Sequence, residues 1–199
     1  GRTGMGAILG SKNLKAIAVR GRNRPQLSDP AAVRSLAKWG ADNLSSSDVD
    51  GLGIFGTAEV LIPQDESGGL PTRNWSSGTF AGAEAISGQR MSDTILQKRE
   101  TCYACAVACK KEVKLETPYR VEPHYGGPEY ETLGALGSDC GVSDLAAVCK
   151  ANEICQRMGL DTISTGCTIA FVMECYENGI ITGKETNGLD LRFGNAEAM

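Results

Sequence analysis

The clearest helix signal in the chain is DLAAVCKANEICQRMG, residues 144–159. Its apolar residues recur at intervals of three and four, as in an amphipathic helix with one buried face; they are Leu145, Val148, Ala151, Cys155 and Met158. Ser143 or Asp144 is suited to cap the first turn, and Gly159 is suited to end the last one. The segment therefore predicts a helix that ends at Met158.

Further helices are predicted on both sides of this segment. The helical pattern returns downstream, over residues 164–177. Upstream, residues 29–44 begin with an aspartate followed by a proline, which favours a capped helix start. Shorter helices are predicted over 57–61, where Pro63 is expected to prevent continuation, and over 92–98. The fold class predicted from these patterns is mainly α, a multihelical domain.

A short β segment is predicted at the N-terminus. Residues 14–20 alternate apolar and polar side chains with a period of two, which is typical of a half-buried strand. Another short strand is predicted over 112–116. Residues 64–80 and 117–128 are rich in glycine and proline, so they are expected to form loops.

Composition favours a globular protein and argues against two classes of function. The chain has 199 residues and a formal net charge of −4, so no basic surface for nucleic acid is expected. No apolar run reaches the roughly 18 residues of a membrane span, so no membrane partner is expected. Neither an initiator methionine nor a secretory pattern stands at the N-terminus. We therefore expect a cytoplasmic fragment of a longer polypeptide.

Cysteine is unevenly distributed along the chain. The motif Cys102-x-x-Cys105-x-x-x-Cys109 has intervals that are expected to bring three thiolates to one side of a tight helical turn. Thiolates are soft ligands, so the motif favours an iron–sulfur cluster whose fourth ligand lies elsewhere in sequence. A zinc site and a set of buried cysteines stay open as alternatives. The cysteines at helical positions are expected to pack in the core; they are Cys149, Cys155, Cys167 and Cys175.

Three other features allow both a structural and a chemical interpretation. The glycine-rich residues 1–7 suit a tight turn or a backbone that approaches a phosphate. Glu129 and Glu131 follow Pro128 in a predicted first helical turn, where a carboxylate serves as a cap or as an active-site acid or base. Asp161 caps the last predicted helix or belongs to an anion-binding helix N-terminus.

Five segments, taken together and in order, resemble the aldehyde ferredoxin oxidoreductase family. They are GRTGMGAILGSKNLKAI (1–17), LPTRNW (70–75), the cysteine motif (102–109), GPEYET (127–132) and GLDTI (159–163). The resemblance covers nearly the whole chain. It implies a tungsten or molybdenum enzyme whose metal is bound by two pterin dithiolenes near a [4Fe–4S] cluster.

The resemblance also implies a role for each motif residue. Cys102, Cys105 and Cys109 would be three ligands of the [4Fe–4S] cluster, with the fourth in a third domain. Glu131, in preference to Glu129, would stand near the metal as an acid or base. Pterin contacts are implied for Arg2, Thr3, Gly4, Leu160, Asp161 and Gln156. The family motif has aspartate where this chain has Gln156, so the contact there would be an uncharged hydrogen bond.

The function implied by the resemblance is oxidation of aldehydes to carboxylic acids with ferredoxin or another carrier as electron acceptor. Residues 1–24 would be the end of a β-rich domain that cradles the pterin, and residues 25–199 a helical middle domain. The fragment alone is expected to be inactive, and the full-length enzyme is expected to be a homo-oligomer. Two alternatives stay open: a catalytic subunit like that of the tungsten benzoyl-coenzyme A reductases, and a non-catalytic zinc-binding module.

Overall fold

The first two helices lie outside the core. The computed structural model describes residues 2–199, apart from the side chain of Arg2. Helix α1 spans Met5–Ser11 and α2 spans Pro30–Asp42. The cap predicted for α2 is confirmed, because the Asp29 carboxylate accepts hydrogen bonds from the first backbone N–H groups of the helix.

The strand predicted near the N-terminus is absent from the structure. Residues 14–20 are exposed and have no regular secondary structure. A strand needs a neighbour for its backbone N–H and C=O groups, and the one sheet within residues 2–199 lies elsewhere. The large apolar side chains of α2 are also unpacked in the described part of the chain, since Leu36 and Trp39 are 67% and 63% exposed.

Three short helices follow: α3 (Asp50–Phe55), α4 (Leu61–Glu66) and α5 (Gly88–Thr94). The prediction that Pro63 stops a helix is wrong. This proline lies in the first turn of α4, where its missing N–H has no intrahelical partner to lose. Short 3₁₀ helices connect the elements, at Arg2–Gly4, Leu44–Ser46, Gly56–Val60, Ala83–Ile86 and Pro123–Tyr125.

An antiparallel hairpin replaces the end of the helix predicted over 92–98, whose first three residues belong to α5. Strand β1 (Leu96–Glu100) pairs with β2 (Lys110–Val113), with Glu100 opposite Lys110 and Arg99 opposite Lys111. The strand predicted over 112–116 therefore begins two residues earlier. The connection of the hairpin, residues 101–109, contains the cysteine motif, and we call it the cysteine loop.

The last three helices form the centre of the fold. α6 (Tyr130–Thr132) runs directly into a π-helix over Leu133–Ser138, which is completely buried. α7 (Leu145–Met158) has Asp144 as its cap and Gly159 as its left-handed C-terminal residue, so both predicted ends are confirmed. α8 (Thr162–Glu177) is capped by Asp161 and begins two residues before the predicted start.

The hydrophobic core lies where α8 and α7 pack around the π-helix. Leu133, Leu136, Val148 and Met173 are fully buried there, and Leu61, Leu70, Ile86 and Met91 extend the core toward α4 and α5. The predicted fold class, mainly α, is confirmed. Within residues 2–199, no helix has the length and apolar character needed to cross a bilayer.

Gly159, directly after α7, provides a test of how closely α1 packs against the end of that helix. Its φ is +68°, and a Cβ would lie 2.8 Å from the carbonyl carbon of Gly6. Gly179 has a φ of +69° and open space around it. Gly179→Ala is therefore expected to lower the free energy of unfolding by about 1–2 kcal/mol through the left-handed backbone alone. Gly159→Ala is expected to cost a further 1–3 kcal/mol or so through overpacking. Urea unfolding measures both values, and equal losses would contradict the close contact with α1.

Candidate functional site

A polar cleft with a volume of about 650 Å³ lies between the hairpin and α7. Strand β2 contributes two lysines and a glutamate, α7 contributes Gln156, and the start of α6 contributes Glu131. The loop before α6 adds His124, which the sequence gave no reason to place in a site. The polar lining residues include Lys110, Lys111, Glu112, His124, Glu129, Glu131, Asn152 and Gln156.

The loop that carries His124 is held against α7 by a charged cluster. Glu153 of α7 is buried, and its Oε2 accepts a hydrogen bond of 2.9 Å from the backbone N–H of Glu122. Lys150 Nζ donates to the carbonyl oxygen of Arg120 at 2.8 Å and to Glu153 Oε1 at 3.0 Å. These bonds fix one wall of the cleft to a long helix.

The two candidate acids, Glu129 and Glu131, have different surroundings in the structure. Glu129 occupies the N-cap position of α6, and its Oε2 accepts a short hydrogen bond from the Thr57 hydroxyl. The same hydroxyl oxygen accepts from Tyr130 N–H at 2.9 Å, so Glu129 fixes the start of α6 to the 3₁₀ helix at Gly56–Val60. Glu131 lies in the first turn and lines two cavities, the polar cleft and a smaller pocket beneath Trp75. Glu129 also lines the polar cleft, so the hydrogen bond to Thr57 is what distinguishes the two acids.

Four of the six predicted pterin contacts meet at the N-terminus of α8. Thr3, Gly4, Leu160 and Asp161 line one open groove there. Asp161 Oδ1 accepts from Ile163 N–H at 2.9 Å, and its Oδ2 accepts from Thr3 N–H at 2.7 Å. Asp161 is therefore both the helix cap and a tether for the N-terminal segment. Gln156 lines the polar cleft instead, and the side chain of Arg2 lies outside the described residues.

The cysteine loop is built from turns, so the prediction of a helical turn is wrong. Cys102 and Cys105 are exposed and Cys109 is half-buried. Cys105 N–H donates to the Cys102 carbonyl oxygen at 3.1 Å, and Ala104 and Ala108 have positive φ angles that interrupt any helix. No three His, Cys, Asp or Glu side chains within residues 2–199 are already gathered as a metal site.

The chemistry of the cysteine loop nevertheless fits an iron–sulfur cluster. Three thiols within one short connection are the soft ligands that such a cluster takes. The loop lies against α3 without space for larger residues, since a Cβ on Gly53 would be 2.8 Å from the Val107 carbonyl oxygen. Lys111 is only 5% exposed beside the loop, and burial lowers the pKa of its ammonium group.

Asp139 is a buried acid that no sequence pattern identified. It is fully buried, and its Oδ1 accepts from Trp75 N–H at 3.0 Å, while Oδ2 makes no hydrogen bond of ordinary geometry in the described chain. The Cys167 thiol faces the same carboxyl group and Glu131 shares the pocket. Burial raises the pKa of Asp139, because the charged form loses its hydration.

Two buried cysteines, Cys140 and Cys149, are poorly suited to supply a thiolate. Cys140 is fully buried, and its thiol donates to the Ala135 carbonyl oxygen at 3.3 Å. Burial raises the pKa of Cys140 and raises that of Cys149 to about 12. The core positions predicted for Cys149 and Cys155 are confirmed, whereas Cys167 and Cys175 are only partly buried.

Comparison with known proteins identifies the family. A family model described as "Aldehyde ferredoxin oxidoreductase, domains 2 & 3" matches residues 35–199. The tungsten-containing aldehyde ferredoxin oxidoreductases of Thermococcus kodakarensis and Pyrococcus furiosus are 41% and 39% identical to this chain over its whole length. The chain belongs to the aldehyde ferredoxin oxidoreductase family. The printed names of these relatives are those of oxidoreductases, which favours an enzyme over the alternative of a non-catalytic zinc-binding module.

The relatives in the aldehyde ferredoxin oxidoreductase family are longer proteins. The chain spans 33% of the length of the two relatives named above. A less similar relative is the aliphatic sulfonate oxidoreductase, WOR-like subunit, of Pyrococcus furiosus, which is 29% identical over the whole chain and of which the chain spans 32%. The similarity thus extends to relatives with different printed substrates.

Asp161 and Asp144 form a matched pair for testing the tether. Both cap a helix through Oδ1, but only Asp161 also accepts from Thr3 N–H. Asp144→Asn is expected to change the free energy of unfolding by less than about 0.5 kcal/mol, because Asn caps as well as Asp. Asp161→Asn is expected to cost about 1–3 kcal/mol, because an amide N–H then faces a backbone N–H. Hydrogen exchange should accelerate over α1 only in Asp161→Asn; unchanged protection there would contradict the tether.

The buried carboxyl group of Asp139 predicts that the free energy of unfolding depends on pH. The pKa of Asp139 is higher in the folded state than in the unfolded state. Below the unfolded pKa the carboxyl group is neutral in both states, and its contribution to the free energy of unfolding is at its maximum. This contribution is lost as the pH rises through the folded pKa. Asp139→Asn stays neutral and keeps an acceptor for Trp75 N–H. Between the unfolded pKa, about 4, and the higher folded pKa, wild-type stability should therefore fall relative to this variant by up to about 1.4 kcal/mol per pH unit, and then level off. Urea unfolding from pH 4 to 8 tests this, and parallel curves would contradict it.

Proposed function

We propose that this chain is part of an oxidoreductase that oxidises an aldehyde to a carboxylic acid and passes the electrons to ferredoxin or another carrier. Family membership and the printed names of the relatives support this proposal. The observation that carries it is the polar cleft, which joins Glu131 to the strand that leaves the cysteine loop. The cleft thus links a proton-accepting group to the strand that directly follows the three thiol ligands in sequence.

The proposed cofactors are a tungsten or molybdenum bis-pterin and a [4Fe–4S] cluster. Cys102, Cys105 and Cys109 would hold three irons of the cluster, and the fourth ligand would come from outside these residues. Asp161, Leu160, Thr3 and Gly4 are the groove residues that would contact a pterin, together with Arg2 and Gln156. When bound, the metal pterin supplies the two-electron oxidation and the cluster carries single electrons onward.

Glu131 is the residue to which we assign proton transfer. Oxidation of an aldehyde with water to a carboxylic acid releases two protons with two electrons, so a nearby base is required. Glu131 opens into the cleft, where a proton can pass from a substrate to water. Glu129 is already bonded to the Thr57 hydroxyl and is proposed to position α6 rather than to react.

The proposed domain organisation also follows from the resemblance to the family. Residues 1–24 would belong to a β-rich unit that cradles the pterin, and residues 25–199 to the helical middle domain. The tether between Thr3 and Asp161 supports such a junction, since it brings the first residues beside the N-terminus of α8. From the same resemblance we propose that the full-length enzyme is a homo-oligomer and is cytoplasmic.

The role of Glu131 is tested in the full-length protein by Glu131→Gln. Gln preserves size but removes the base, so aldehyde-dependent dye reduction is expected to fall by about 10²–10⁴-fold. Glu112→Gln is the matched control, because Glu112 lines the same cleft from β2. Activity is assayed anaerobically, with tungsten and iron content measured on the same preparations.

Two results would contradict this assignment. Full activity in Glu131→Gln would exclude Glu131 as the base. A loss of tungsten as large as the loss of activity would mean that Glu131 helps to retain the metal rather than to transfer a proton. Activity in wild type only with a non-aldehyde substrate would replace the proposed reaction and leave the family unchanged.

A further inference from the structure

Lys111 is a buried cation bonded to backbone carbonyl groups. Its Nζ lies 3.1 Å from the Gly53 carbonyl oxygen, 3.3 Å from that of Ala108 and 3.2 Å from that of Cys109. No carboxylate lies within ion-pair distance of it in the described part of the chain. The ammonium group therefore uses its three donors on neutral acceptors only.

These three bonds join the cysteine loop to α3. Gly53 belongs to α3, whereas Ala108 and Cys109 form the end of the loop. The contact is close, because a Cβ on Gly56 would lie 2.9 Å from the Cys109 carbonyl oxygen and 3.3 Å from Lys111 Cγ. The position of Cys109 is thus fixed by a side chain two residues later in sequence.

No carboxylate pairs directly with Lys111 in the described part of the chain, and the charge of Glu129 acts on it only from beyond ion-pair distance. Its cross-strand partner is Arg99, another cation, and a buried charge that no direct ion pair compensates is costly. A cluster with thiolate ligands carries net negative charge and would lie next to this site. Lys110, the preceding residue, is exposed and makes none of the three bonds to the loop and α3.

We propose that Lys111 is the positioning residue of the cluster site: it holds the end of the cysteine loop on α3 and places a buried positive charge beside the cluster. This inference rests on the proposed function, because it requires a cluster on Cys102, Cys105 and Cys109. Lys111 acts through the loop backbone and the local field, and takes no part in the chemistry of the substrate. Outer residues of this kind typically change metal affinity by about 10- to 100-fold.

The test compares Lys111→Met with Lys110→Met in the full-length protein, purified without oxygen. Methionine has a similar length but no donor and no charge. We expect Lys111→Met to lose iron to a chelator about 10- to 100-fold faster than wild type. In the cluster that remains, the midpoint potential from an EPR-monitored redox titration should be lower, since the reduced and more negative state loses a nearby cation. Lys110→Met should match wild type in both measurements.

Other results would contradict either the role of Lys111 or the proposed function. Equal iron retention and equal midpoint potentials in the two variants would overturn the proposal. A stability loss of the iron-free Lys111→Met protein without any change in the potential would make Lys111 merely structural and would also overturn it. If Lys111→Met does not fold, Lys111→Gln, which keeps a donor without charge, is measured in its place with the same criteria. A wild-type protein that binds no cluster would instead refute the proposed function.

Discussion

α8 approaches the π-helix so closely that Gly166 has no room for a side chain. A Cβ there would lie 2.5 Å from the carbonyl of Ala135, and nearby the hydroxyls of Thr132 and Thr162 are 2.9 Å apart. This contact places the first turn of α6, with Glu131, beside the N-terminus of α8. Thr132 and Thr162 also line the polar cleft together with Glu131. The arrangement of the candidate site therefore depends on the packing of two buried backbones.

The interior is polar where the chemistry is proposed. Lys111 and Asp139 are both buried, and each lines a cavity that Glu131 also lines. Burying such groups is unfavourable unless neighbours compensate for the lost hydration. Perturbed acids and bases cluster at functional sites for this reason, because the same environment that destabilises a charge also tunes it. Elsewhere in the described chain the core consists mainly of aliphatic side chains and methionine.

Elements whose ends are set by neighbouring residues could be predicted from the sequence, whereas elements that depend on distant partners could not. The bounds of α7 were predicted because Asp144 and Gly159 define its ends without help from distant residues. The strand over 14–20 could not be decided locally, since a strand depends on a partner. The hairpin was missed because its connection is a nine-residue cysteine loop with no standard two-residue turn. Lys110 and Lys111 look alike in sequence, and only the strand register distinguishes the exposed residue from the buried one.

The tether between Thr3 and Asp161 has a consequence for the order of folding. It joins residues 158 positions apart, whereas the cysteine loop closes within one hairpin. Closing a long loop costs more conformational entropy than closing a short one, and long-range contacts form late for the same reason. The hairpin with its three cysteines can therefore form early, before the rest of the chain has packed. The N-terminal groove can form only after α7 and α8 are in place, and its opening requires no unfolding of the core.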